Sequence, residues 1–187
     1  MKDKSQLLNY TIPQLLRWRV KETGAKVALR EKDFGYWNNY TWNDFYDYVR
    51  KIALGLEKVG VKRGDKLALI GDNIPEMLFM AIGAQSIGAV SAGIYQTTLP
   101  DEIAELINYM DVTAVFCDDQ EQVDKLVESR DRIPQVRKVI YEDPRGMRSY
   151  RSDDWFLLIE DLYEIGAAAN AESPEKYDTL IDQGIES

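Results

Sequence analysis

The 187-residue chain contains no histidine and a single cysteine, Cys117. That removes Ser-His-Asp and Cys-His nucleophiles, His-ligated zinc and thiolate metal clusters from these residues, so no catalytic residue and no metal ligand is assigned. Chemistry must rest on carboxylates, Lys, Tyr or backbone amides. Tyr95-Gln96-Thr97 leaves an apolar run where a tyrosine ring could stack on a nucleotide base. Asp118-Asp119 ends another run and could hold magnesium or a ribose, although such a pair more often caps the following helix. Arg145, Arg148 and Arg151 could meet a phosphate from a loop that otherwise reads as solvated. Cys117 reads as a small buried hydrophobe. Gly83 and Gly88 have the spacing of P-loop glycines, but Ala89-Val90 follows where Lys-Ser/Thr is needed. They read as helix packing and helix termination. Gly71-Asp72-Asn73-Ile74-Pro75-Glu76 keeps only the first glycine of a dinucleotide fingerprint, which argues against an NAD or FAD domain.

The elements that must position these groups lie within residues 66–119. Apolar runs near 66–70, 89–94 and 113–117 are too short for anything but buried strands. Between them lie two helical stretches, each opened by a proline. The first shows Met77, Leu78, Ala81, Ile82 and Gln85 on one face, and the second Ile103, Leu106, Ile107 and Met110. Strands apolar on both faces alternating with amphipathic helices predict parallel crossovers. A fourth strand is expected near 137–141. The fold class is therefore α/β, with three layers and a mostly parallel sheet between helices, plus an N-terminal helix and a β-hairpin.

That first helix opens with a capping box from Thr11 to Gln14, and the hairpin pairs Val27–Arg30 with Trp37–Thr41. A second capping box, Thr41 to Asp44, starts a long helix with its stripe at Trp42, Phe45, Val49, Ile52, Leu56 and Val59. Thr98 and Asp101 suggest a third box. Late in the chain, helices are expected over 154–169, carrying Trp155, Ile159, Leu162 and Tyr163, and around Tyr177, Leu180 and Ile181. The net charge of −9 would repel a phosphate backbone, so nucleic acid is not an expected partner. No transmembrane segment is expected, and one cysteine suits a reducing, cytoplasmic setting.

The pattern resembles the adenylate-forming enzymes that include acyl-CoA synthetases. Tyr40-Thr41-Trp42-Asn43-Asp44-Phe45 resembles that family's first core motif, Leu-Thr/Ser-Tyr-x-Glu-Leu. Ala84-Gln85-Ser86-Ile87-Gly88-Ala89-Val90 resembles the second, Leu-Lys-Ala-Gly-Ala-x-x. Residues 62–68 and 72–76 are similar to its GD-x-V-A and N-x-P-E stretches. Asp33-Phe34-Gly35-Tyr36-Trp37 is most similar to the long-chain fatty acyl-CoA synthetase branch.

The resemblance implies a fatty acid–CoA ligase using ATP, Mg2+ and CoA, with a fatty acid as substrate, in the cytoplasm or peripheral to the membrane. Tyr95, Gln96 and Thr97 take the place that borders the CoA nucleotide in such enzymes. The family's ATP-phosphate loop, expected just after a segment like 177–187, does not occur in these residues. Residues 1–187 are thus expected to be the N-terminal part of one adenylate-forming domain. Its core spans about 11–170, and 171–187 connects towards the phosphate loop. This part alone is expected to be inactive and to bind none of the cofactors well. It is also expected to self-associate through apolar surface on the Trp155–Tyr163 helix or over 177–185. The alternatives are part of another adenylate-forming enzyme (a medium-chain or aryl-CoA ligase, or a peptide-synthetase adenylation domain) or a complete, non-catalytic α/β interaction module.

Overall fold

The structure is a computed structural model that describes residues 4–183. After a short 3-10 turn, α1 (Ile12–Thr23) leads into the hairpin β1 (Val27–Asp33) and β2 (Tyr36–Thr41). Next come α2 (Trp42–Lys58), β3 (Lys66–Ile70), α3 (Pro75–Ser86), β4 (Val90–Ile94) and α4 (Pro100–Met110). The chain continues through β5 (Val112–Cys117), α5 (Gln120–Glu128), β6 (Lys138–Tyr141), β7 (Phe156–Leu158), α6 (Ile159–Glu172) and α7 (Lys176–Asp182). The hairpin is antiparallel. The other five strands form one parallel sheet in the order β4-β3-β5-β6-β7.

Side-chain alternation along the strands builds two cores. Leu67 and Leu69 of β3, with Phe116 and Ile140, enter the core beneath α1, α2, α3, α6 and α7. Ala68 and Ile70, with Val115, Cys117 and Val139, enter the core beneath α4 and α5. This is the expected three-layer arrangement, since a strand buried on both faces must be apolar at every position. Within the larger core α2 is the hub, with Val49, Ile52 and Leu56 fully buried. Three glycines let helices approach it closely. A Cβ on Gly83 would lie 2.4 Å from Ile52, one on Gly55 2.7 Å from the Leu162 carbonyl, and one on Gly166 1.8 Å from the Lys51 carbonyl.

Both early capping boxes are present. Thr11 accepts from the Gln14 amide and Thr41 from that of Asp44, with the side chains of Gln14 and Asp44 accepting in return. The third box is not: Leu99 takes the N-cap of α4, with no side-chain cap bond. Thr98 instead closes a turn, its amide donating to the Tyr95 carbonyl at 3.0 Å. The expected face of α3 is also corrected. Phe79, Met80, Gly83 and Ala84 are buried while Leu78 is exposed, because this helix is apolar on nearly every side and its contacts, not its periodicity, choose the buried face. Leu106 of α4, expected to face the core, is likewise exposed, and Ala104 is buried in its place.

The helix expected over 154–169 is the largest correction. Phe156–Leu158 form a fifth parallel strand, and the helix runs from Ile159 to Glu172. The indole of Trp155 donates to the Val136 carbonyl at 2.8 Å, and the Trp155 carbonyl accepts from Val139. The apolar surface expected there, and over 177–183 of the expected 177–185, is largely packed away. Trp155 is buried, Tyr163 is partly buried, and Tyr177 is 1% exposed against Tyr46 and Ser86. Residues 184–187 lie outside the described residues. Arg17 of α1 holds α7 through Asp178 at 3.1 Å and through Asp182.

Candidate functional site at the carboxyl edge of the sheet

Five parallel strands send five loops out of one edge, the side on which open α/β sheets bind ligands. The turn after β3 depends on Gly71, at φ +152°, where a Cβ would stand 2.4 Å from the Asp118 carboxyl carbon. The Asp118 Oδ2 accepts from the Asp72 amide at 2.7 Å, while its Oδ1 is buried without a partner among the described residues. Burial pushes this carboxyl up; the Asp72 amide works against the rise and the Asp119 charge adds to it. Asp72 in turn accepts from the Gln96 side chain at 2.7 Å. Lys125 donates to the Gln96 carbonyl at 2.5 Å and pairs with Glu121 at 2.9 Å. Gln96 is therefore held through both its amide and its carbonyl. Next to it the Tyr95 ring stands 86% exposed, and Thr97 is exposed as well.

These bonds join two of the places singled out in the sequence, Tyr95–Thr97 and Asp118, through Asp72. Asp119 does what such residues most often do, capping α5 by accepting from the Gln122 amide at 3.2 Å. The late arginines do not join this group: Arg145 pairs with Asp143, and Arg148 and Arg151 are exposed. Cys117 is buried, and burial holds its thiol well above the usual range. Lys125 was not singled out, because a Glu121–Lys125 spacing of four reads as an ordinary surface pair on a helix.

A second group of charges lies beside the first. Glu142 follows β6, and its carboxyl is pushed up to about 7, first by burial and then by the charges of Glu76, Asp143, Glu160 and Glu31. Glu76 is also raised, mainly by burial. Glu76 and Glu160 sit in the first turns of α3 and α6, where the helix dipole favours a negative charge. Among the described residues no group of three or more Asp, Glu, Cys or His is arranged to hold a metal ion. What the edge offers is an exposed aromatic face and a firmly held amide beside it.

The architecture is that of the adenylate-forming fold. An anthranilate CoA ligase, AuaEII, solved with anthranoyl-AMP, superposes with a TM-score of 0.74 at 18% identity, over 88% of this chain and 30% of that one. A putative long-chain-fatty-acid CoA ligase from Rhodopseudomonas palustris gives 0.69 at 21% identity, over 83% and 37%. The AMP-binding enzyme family matches residues 16–176, and the chain belongs to it. Among curated relatives, the long-chain-fatty-acid–CoA ligase ACSBG1 of Rattus norvegicus is 28% identical over 177 residues, 94% of this chain. ACSBG2 of the same species is 29% identical over 160 residues, 84% of this chain. The chain spans 23% of the length of either relative.

Proposed function

We propose that this chain is the N-terminal part of an ATP-dependent long-chain fatty acid–CoA ligase. The observation that carries the reading is the family match over residues 16–176. In the reaction a fatty acid carboxylate attacks the α-phosphate of Mg·ATP, forming acyl-adenylate and releasing pyrophosphate. The CoA thiol then takes the acyl group and AMP leaves. The groups that stabilise charge on the phosphates in such a reaction are not among these residues. This chain's part is to carry the carboxyl edge on a rigid sheet. There Tyr95 supplies a stacking face for the CoA nucleotide, with Gln96 and Thr97 at the rim, and Asp72 and Lys125 holding Gln96 in place. The hairpin exposes Phe34, Tyr36 and Trp37, which supports contact with a membrane surface from a cytoplasmic position.

The coding sequence that follows Ser187 tests the ligase reading. A Thr/Ser/Gly-rich loop with a Lys there is expected, and its absence would remove the reading. For residues 1–187 alone, no fatty-acid-dependent ATP–pyrophosphate exchange and no calorimetric binding of Mg·ATP are expected. Micromolar Mg·ATP affinity would instead favour a self-sufficient module.

A further inference from the structure

A cavity of about 460 Å³ opens at the amino edge of the sheet, the end opposite Tyr95 and Asp118. Its apolar wall comes from Ile12 and Pro13 at the start of α1, Val90 at the start of β4 and Leu180 of α7. Arg63, Gln85 and Ser91 supply its polar side. Gly88 makes room for the cation: at φ +78° it has no side chain, and a Cβ would stand 2.9 Å from both Cγ and Nη1 of Arg63.

Arg63 donates to the Gln183 carbonyl at 3.2 Å, and no ion pair joins it to a carboxylate of the described residues. A guanidinium has five N–H donors, and Arg63 is exposed, so most of them face water and can turn to a ligand. The Ser91 hydroxyl accepts from the Gln85 side chain at 3.1 Å, which leaves its own proton to donate. The volume lies within the about 300–1,000 Å³ of small-ligand pockets, which are mostly apolar with a few convergent polar groups. From this lining we infer that the cavity is a binding site for a small amphipathic monocarboxylate. The carboxylate takes the Arg63 fork and the Ser91 hydroxyl proton, and the apolar body lies on Ile12, Pro13 and Leu180. One cation neutralises one anionic charge. A phosphate dianion would add a second negative charge, with one cation to meet it, to a chain already at −9. The site stands at the other end of the strands from the proposed CoA rim, so it does not depend on the ligase reading.

The test is a titration of the 15N-labelled chain with sodium octanoate, with octanol and octyl phosphate as parallel arms. Saturable shifts are expected at the Gly88 and Ser91 amides and the Gln85 side-chain amide, with none at Gln96. Octanol and octyl phosphate are expected to bind more weakly than octanoate. Arg63→Gln should weaken octanoate binding about tenfold or more, the loss expected when a charged hydrogen bond is removed. Arg63→Lys, which keeps the charge without the fork, should fall between. Spectra away from the cavity report whether each variant is folded. If Arg63→Gln does not fold, the Lys variant decides alone, with unchanged affinity overturning the proposal. Lack of saturation, equal affinity for octanol, a preference for octyl phosphate, or shifts confined to residues 95–97 would each overturn it too.

Discussion

Glu142 shows what burying one side chain among like charges does to the protein. Its folded-state value of about 7 exceeds the value of about 4.3 expected for an unfolded glutamate, so the folded chain binds this proton more tightly. The stabilisation from that proton is complete below about pH 4.3 and is lost as the pH rises through about 7. Glu142 is half-buried, so solvent screening reduces the effect to about 1 kcal/mol. Urea denaturation should find Glu142→Gln more stable than the parent at about pH 8, by about that amount, and equal to it at about pH 4. Parallel curves across this range would show that neither burial nor the carboxylates of Glu76, Asp143, Glu160 and Glu31 shift it. This site gave no signal in the sequence, since the four glutamates lie far apart along the chain and only the fold gathers them.

Close helix approach invites a test on the elements themselves. Gly166→Ala would place a methyl group against the Lys51 carbonyl, a backbone atom that cannot swing away, so α6 must shift off α2. The cost should be about 2–3 kcal/mol, that of overpacking a core. Gly93→Ala, with nothing within 4 Å of its Cβ, should leave thermal stability nearly unchanged. Equal melting temperatures for the two variants would mean that the helices adjust freely. The strands of the parallel sheet were legible in the sequence where local pattern decides: β3, β4, β5 and β6 each fall within a residue of the apolar runs that announce them. β7 was not, because it has three residues and Trp155, Ile159 and Leu162 carry helical spacing across it. Its strand character comes only from pairing with β6. The candidate site divides in the same way. Tyr95–Thr97 and Asp118 could be placed at the ligand edge from strand alternation, but the bonds through Asp72 and Lys125 join residues up to 46 apart and have no local signature.

For the whole molecule, the expectation of self-association now rests on the edge of the sheet. Among the described residues the outer strand β4 has one unpaired edge, with no bulge and no proline, and Val90 is 54% exposed on it. Leu99, Leu106 and Tyr109 stand exposed on the adjoining α4 segment. Such an edge tends to pair with another copy, and the −9 charge opposes this until salt screens it. Sedimentation should show association rising with concentration and with salt, and Val90→Lys should abolish it. A monomer under every condition would show that the edge is inert. The bond between α1 and α7 bears on a different matter, the order in which the chain is made. β3, β5, β6 and β7 lie side by side in the order of synthesis, so each strand can dock on its predecessor as it emerges. Arg17, by contrast, waits 161 residues for Asp178, and the space that Tyr177 fills between α2 and α3 stays empty for the 91 residues after Ser86. Closing so long a loop carries an entropic cost that grows only slowly with length, but it cannot begin until α7 has left the ribosome. The sheet can thus assemble during translation, while the helical layer around α1 is completed only when α7 arrives.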